Sequence, residues 1–249
     1  MDTGQKHIII SIIIPACNEE SRLARTLNNY VSYLSERVDG DFQIIVVCNG
    51  CTDNTPQIAE EFSRKFTQIK GINFPARIGK GGAIKEGFRL ADGDVIAFVD
   101  ADGAIKPDEV WKLTQMVMNG HDGAIGSRRT PGASILVRRP FIWQSASRGF
   151  NWLVRLLFWL PFRDTQCGLK VFKKRVIHSI VDELHISGMT FDVELLWKAR
   201  NHGYKITELP IVWEHQPKNG PTNDLPRTVV RMAVDIMKLR FSLKSGELK

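Results

Sequence analysis

Apolar residues in the first half of the chain fall into short continuous runs, separated by longer stretches where they recur at helical spacing. Residues 8–15 are almost uninterrupted isoleucine, the pattern of a strand buried on both faces. Asn18-Glu19-Glu20-Ser21 then opens a helix to about residue 38, with acidic residues where a helix N-terminus favours them. A second buried strand is predicted over 42–47, ended by Asn49-Gly50, and a helix over 55–67 with Asp53 or Asn54 as its cap. Strands over 71–74, 95–99 and 123–127 alternate with helices over 81–91 and 107–119. This alternation predicts βαβ units and an α/β fold with a mostly parallel sheet. Ligands of such sheets bind beyond the carboxyl ends of the strands. Candidate chemistry is therefore sought in Pro15-Ala16-Cys17-Asn18-Glu19, Cys48-Asn49-Gly50, Asp100-Ala101-Asp102 and Ser127-Arg128-Arg129.

The second half has a different pattern. If 141–160 is helical, Gln144, Ser147, Arg148, Asn151 and Arg155 form one narrow polar stripe, and the rest of the circumference is apolar, including Trp143, Trp152 and Trp159. Such a helix is either deeply packed or lies in a membrane interface, where tryptophan is well accommodated. A last amphipathic helix is predicted over 225–243, strands over 169–172 and 205–213, and a helix over 191–200.

Composition narrows the class. The 249 residues can bury a sizeable core, and a net charge of +7 points to an anionic partner such as a nucleotide, a lipid phosphate or a membrane surface. Met1 to His7 is polar and reads as no secretory leader, and no stretch reaches the roughly 18 apolar residues of a membrane span. Cys48-Asn49-Gly50-Cys51 has redox spacing, but no nearby Cys/His pair completes a zinc site; reduced thiols in a cytosolic protein are expected. The basic balance carries no aromatic-basic motif of the usual nucleic-acid modules, so no nucleic-acid partner is expected.

Asp100 and Asp102 flank a single alanine directly after a strand. Two carboxylates this close repel unless a cation or strong donors compensate, and a hard divalent ion such as Mg2+ or Mn2+ would do so while bridging to a diphosphate. The bland alternative has Asp102 capping the next turn and Asp100 merely exposed. The ordered set Ser11-Ile12-Ile13-Ile14-Pro15-Ala16-Cys17-Asn18-Glu19-Glu20, Asn49-Gly50-Cys51-Thr52-Asp53-Asn54-Thr55, Gly79-Lys80-Gly81-Gly82-Ala83, Asp100-Ala101-Asp102 and Gly126-Ser127-Arg128 resembles the inverting family 2 glycosyltransferases of GT-A fold. Asp164-Thr165-Gln166-Cys167-Gly168-Leu169-Lys170-Val171-Phe172 and Phe191-Asp192-Val193-Glu194-Leu195 are similar to the branch acting on dolichyl or polyprenyl phosphate, the glucosyltransferases before the mannose synthases. The resemblance covers about residues 8–215.

The resemblance implies roles. Pro15, Ala16, Cys17 and Glu19 would line the nucleotide pocket, with Val47 and Asn49 opposite, although the family usually carries aspartate where Asn49 stands. Lys80 would reach the diphosphate or order its loop; the segment is not a Walker A loop, since neither Ser nor Thr follows the lysine. Asp100, with Ala101 beside it, would face ribose or sugar, and Asp102 would hold the metal. Mannose synthases often have a ligating glutamine where this chain has Ala104, which leaves the ion to Asp102, diphosphate and water. Arg128, Arg139 and Arg148 are the expected contacts of an acceptor phosphate, and Asp164 and Gln166 those of sugar hydroxyls. Lys170 is either a phosphate contact or a solvated strand-end lysine. Asp192 is the candidate catalytic residue beside Asp102 and Arg128, either as a base or as a group that positions acceptor or sugar; a helix cap is the structural alternative.

Departures occur at Trp213-Glu214-His215-Gln216, where mannose synthases have an arginine in place of His215 and the glucosyltransferases a serine-lysine pair. Residues 1–215 are expected to form the catalytic domain, with a nucleotide-sugar half to about 130 and an acceptor half after it. Residues 216–249 would supply a closing loop and the last helix. The expected function is inverting transfer of a hexose from UDP-glucose or GDP-mannose to a polyprenyl or dolichyl phosphate, at the cytoplasmic face of a membrane. Two alternatives stand beside it: the same fold acting on a glycan, protein or small molecule, and a non-catalytic nucleotide-sugar binder.

Overall fold

In the computed structural model of the chain, residues 7–38, 41–137, 141–214, 216 and 225–245 are described, with the backbone alone for 141–147, 225–229 and 242–245. The first half follows the strand-helix alternation: β1 (Ile10–Ala16), α1 (Glu20–Val38), β2 (Phe42–Asn49), α2 (Thr55–Lys65), β3 (Ile69–Phe74), α3 (Gly79–Arg89), β4 (Val95–Val99), α4 (Pro107–Met118) and β5 (Gly123–Ser127). Then come β6 (Ser134–Val137), α5 (Phe141–Phe158), β7 (Leu169–Lys173), α6 (Lys174–Ile180), α7 (Phe191–Asn201), β8 (Ile206–Pro210), β9 (Val212–Glu214) and α8 (Leu225–Ser245).

Seven strands form one mixed sheet in the order β3-β2-β1-β4-β7-β5-β8. The continuous apolar runs are divided between its faces by the strand period of two. Ile10, Ile12 and Ile14 of β1, with Ile44 and Val46 of β2, pack against Leu23, Leu27 and Tyr30 of α1 and Leu113 of α4. Ile13, Ile45, Val47, Ile96 and Phe98 point the other way, onto α3, α6, α7 and the inner faces of α5 and α8. Each of these side chains contributes roughly 1.5–3 kcal/mol by leaving water.

One strand decides where the chemistry can be. β7 runs antiparallel between β4 and β5, with Val99 opposite Leu169 and Ile125 opposite Lys170. Its start therefore lies at the carboxyl end of its neighbours, and residues 164–168 arrive beside Asp100 and Arg128. The order in which successive strands are added reverses between the parallel neighbours β1 and β4, the crevice such sheets use for ligands.

Three expectations change. The strand over 205–213 breaks at Ile211, where Pro210 ends pairing with β5 and β9 leaves to pair with β6 in a two-stranded ribbon. The polar stripe on α5 is divided: Arg148 and Arg155 are exposed, but Asn151 is buried and its Oδ1 accepts from Thr165 N (2.9 Å) and Oγ1 (3.0 Å). Trp152 and Trp159 instead face solvent, 66% and 85% exposed. Lys170 is fully buried and so is no solvated strand-end lysine. No described helix is long and apolar enough to cross a membrane.

Candidate active site

The loops after β1 and β2 are laced together by their polar side chains. Asn18 adopts a positive φ of 56°, which asparagine tolerates better than most residues, and its Oδ1 accepts from Thr52 N (2.8 Å). Asp53 Oδ1 accepts from Thr55 N (3.0 Å) and its Oδ2 from Glu20 N (3.1 Å); Glu20 Oε2 accepts in turn from Asn54 N (2.9 Å). Asp53 thus caps α2 with its carboxylate, and Asn54 makes no side-chain cap bond. Of the expected nucleotide-pocket residues, Pro15, Cys17 and Glu19 are half-buried on this edge and Ala16 is buried. Glu19 pairs with Arg22, whose Nη1 donates to Gln216 O (3.1 Å). Val47 is fully buried in the second core. Asn49 is buried too, and its Oδ1 accepts from Ile78 N (2.7 Å) and Gly79 N (3.2 Å), so it holds the approach to α3.

Cys48 and Cys51 are thiols. Burial and the neighbouring Cys51 push the Cys48 thiol up to about 12, the reverse of a reactive redox cysteine.

Beyond β4 the charges alternate. Lys80 Nζ lies 2.8 Å from Asp100 Oδ1 and 4.0 Å from Asp192 Oδ2, and the opposite oxygen of Asp192 accepts from buried Lys170. Lys170 Nζ also donates to Cys167 O (2.9 Å). Burial alone would lower the Lys80 ammonium, but Asp100 and Asp192 hold it above the usual lysine range. Burial would likewise raise Asp100, yet Lys80 keeps it below its ordinary 3.8. Asp100 fits only because residue 168 is glycine: a Cβ there would overlap the carboxylate, and Asp100 N donates to Gly168 O (3.2 Å).

Asp102 stands at the end of this series in a different state. Its Oδ1 accepts from Ala104 N (3.0 Å), the turn-capping bond of the bland alternative, and no hydrogen bond reaches its Oδ2 among the described residues. Burial and then the Asp100 charge push its pKa above 3.8. The loop is held from α1, by Thr26 Oγ1 on Ala101 O (3.0 Å) and Tyr30 OH on Ile105 O (3.1 Å). No cluster of three or more metal-ligating side chains occurs among the described residues. A single ionised oxygen under like-charge repulsion, with ligand oxygens completing the sphere, is nonetheless a donor set that suits Mg2+ or Mn2+.

After β5, Arg128 makes a two-pronged pair with Asp164: Nε to Oδ2 (2.7 Å) and Nη2 to Oδ1 (2.9 Å), with Arg128 N on Oδ2 as well (3.1 Å). Asp164 is fully buried, with its oxygens occupied by Arg128. Arg129, which the sequence reading named only in passing, is half-buried beside this pair. Burial, and the positive charges of Arg128 and Arg148 against the opposing pull of Asp164, lower its pKa. Gln166 carries a buried Nε2 with no acceptor among the described residues. Arg148 is exposed on α5; Arg139 and His215 lie outside the described residues.

The structure therefore gathers Glu19, Lys80, Asp100, Asp102, Arg128, Asp164, Gln166 and Asp192 along one edge. Lys170, Gly168 and the capping carboxylate of Asp53 serve this arrangement from positions that the sequence reading left open or did not use.

Residues 11–181 match the family model described as Glycosyl transferase family 2. The chain is 32% identical over 258 residues to the dolichyl-phosphate beta-glucosyltransferase of Saccharomyces cerevisiae, covering 97% of this chain and 77% of that one. It is 33% identical over 216 residues to the human protein of the same description, covering 82% and 67%. The glycosyltransferase AglD of Haloferax volcanii is 32% identical over 236 residues, 94% of this chain but 37% of AglD, so the chain spans about a third of that relative. Among solved structures, glucosyl-3-phosphoglycerate synthase from Mycobacterium tuberculosis, in complex with Mn2+, UDP and glucosyl-3-phosphoglycerate, superposes with a TM-score of 0.69 at 18% identity, covering 93% of this chain and 79% of that one. A mannosyltransferase from Pyrobaculum calidifontis with GDP-mannose and Mn2+ gives 0.57 at 17% identity, covering 87% and 59%.

Proposed function

The chain belongs to glycosyl transferase family 2 and is a glycosyltransferase, and we propose that it transfers a hexose from a nucleotide sugar, with inversion, to a dolichyl or polyprenyl phosphate at a membrane surface. The observation that carries this reading is Asp102: a crowded carboxylate with one open oxygen at the switch point, beside the Lys80–Asp100 pair. We assign glucose as the sugar and UDP as its carrier, supported by the description of the yeast and human relatives.

The residues divide the work. Pro15, Ala16, Cys17 and Glu19 bound the nucleotide, and Asp100 with Ala101 faces its ribose or sugar. Asp102, with the diphosphate oxygens, would hold Mg2+ or Mn2+, and that ion supplies neutralisation of the departing diphosphate. Lys80, clamped between two carboxylates, presents a fixed positive charge to the same diphosphate. The acceptor phosphate is already ionised near neutral pH, so it needs no base to attack the anomeric carbon from the opposite face. Asp192 then serves as a strut and not as a base: its contacts with Lys170 and Lys80 fix its position.

Arg128 is satisfied by Asp164, which turns Arg128 into a support; we assign the acceptor phosphate to exposed Arg148, with Arg139 preceding it in the chain and Arg129 beside the Arg128–Asp164 pair. The same pair withdraws Asp164 from the sugar, and Gln166, with its unmet donor, takes that contact. Beside them α5 exposes Trp152 and Leu156, Trp159 is exposed just past its end, and α8, packed on α5, exposes Val230, Val234, Met237 and Phe241. Tryptophans around Arg155 suit an interfacial bilayer contact, and this face is where the polyprenyl chain would enter. We place the enzyme on the cytoplasmic face of the membrane. In domain terms, residues 1–130 carry the donor half, 131–215 the acceptor half and 216–249 the closing segment.

Labelled sugar transfer tests this reading: UDP-glucose with dolichyl phosphate and Mn2+ should yield an organic-soluble product, lost with chelator. Transfer only to a water-soluble glycan or phosphorylated small molecule would reject the lipid acceptor.

A further inference from the structure

We infer that Glu194 is a positioning residue for the donor site: its buried carboxylate folds residues 184–190 into a clip that sets Lys80 against Asp192. The inference rests on the site reading above. Glu194 lies on the first turn of α7, fully buried. Its two oxygens accept from His185 N (3.0 Å each), and Oε2 also accepts from Ile186 N (2.8 Å). These are charge-assisted bonds to two consecutive backbone amides, which stiffen the segment far more than a solvated loop would allow.

The next residue transmits that order. Ser187 O accepts from Gly81 N (2.9 Å) and Gly82 N (3.3 Å), amides in the first turn of α3. The glycines around Lys80 form a socket for this segment. A Cβ at Gly79 would overlap the Ser187 carbonyl, and one at Gly81 would lie 2.5 Å from Ile186 O and 2.6 Å from Phe191 Cβ. Lys85 Nζ adds a second tie, to Leu184 O (2.6 Å). With Asn49 holding Ile78 N and Gly79 N, four amides around Lys80, those of residues 78, 79, 81 and 82, donate to protein oxygens. What the run delivers is the Lys80 side chain, two helices being pinned by one seven-residue segment: α3, which carries Lys80, and α7, which carries Asp192. The 4.0 Å separation of Lys80 Nζ and Asp192 Oδ2 follows from the clip.

Hydrogen exchange of residues 78–84, with donor affinity and steady-state kinetics on the full chain, tests this. Glu194→Ala should speed exchange of that segment by roughly tenfold or more, since the local opening free energy falls. It should raise both Kd and KM for UDP-glucose by about tenfold, with kcat changed by less than about threefold, the signature of lost donor positioning. Gly81→Ala, which pushes the clip out from the other side, should do the same, and the double variant should be no worse than either single one. Glu194→Gln, which keeps one acceptor oxygen, should fall between and reads out the effect should the alanine variant not fold. Unchanged exchange at 78–84, or faster exchange with donor affinity intact, overturns the proposal. Exchange needs no ligand, so a wild-type chain that binds no nucleotide sugar refutes the site reading while exchange at 78–84 still decides the clip.

Discussion

Among the side chains at the sheet edge, Asp102 is ionised at a cost to the fold. Its folded pKa is raised above 3.8 by burial and by Asp100, so its favourable contribution is fully present below its unfolded value and is lost as pH rises through the folded one. At neutral pH the charge is retained against stability, as binding sites often require. Asp102→Asn should therefore raise Tm in chelator at pH 7, narrow that gain as pH falls toward the carboxylate range, and abolish turnover; a lower Tm at every pH would remove the electrostatic account. Asp192 gives the opposite kind of test. Removing a true general base costs roughly 10²–10⁴-fold and deletes the acid limb of the rate profile. As a strut between Lys170 and Lys80, Asp192→Asn should lower kcat/KM by no more than about 30-fold with the pH profile unmoved, because the reacting phosphate brings its own charge. A flattened acid limb would restore the base.

At the level of elements, the parts most readable from sequence were those whose apolar residues serve both core layers. β1, β2, β4 and β5 are short, unbroken and bounded by polar loops, so period and length agree. β6 was not readable because all four of its residues are exposed, and β9 because Pro210 and Ile211 interrupt a run that otherwise reads as one strand. α5 shows the limit of pattern on a single helix. Asn151 belongs to the polar stripe by spacing, yet it turns inward because Thr165 supplies two donors there, and Trp152 and Trp159 turn outward. That outward apolar face makes a prediction of its own. Trp152→Ser with Trp159→Ser should cut flotation with phosphatidylcholine–phosphatidylserine vesicles by about tenfold or more while leaving Tm within about 2 °C, since both side chains are already solvated. Full retention of vesicle binding would move the membrane contact elsewhere.

For the molecule as a whole, the site is built by one reversal. Asp100 and Asp102 could be picked out because they follow a predicted strand, and the order of the strand-end motifs carried the family resemblance. Their partners could not be read in the same way. Lys80 meets Asp192 across more than a hundred residues, Arg128 finds Asp164 only because β7 enters antiparallel, and Gly168 matters only once Asp100 lies against it. Spacing along a chain does not report such meetings; topology does. The central claim is that this edge binds a nucleotide sugar through a divalent ion held at Asp102. Thermal unfolding with UDP-glucose and GDP-mannose, each with and without Mn2+, in the wild-type chain and Asp102→Ala, tests it most directly. At a ligand concentration of about 100 times Kd the stabilisation is about 2.7 kcal/mol, well above detection. The prediction is a Tm rise for UDP-glucose that requires Mn2+ and vanishes in Asp102→Ala, and equal, metal-independent rises for both sugars in both proteins would contradict it.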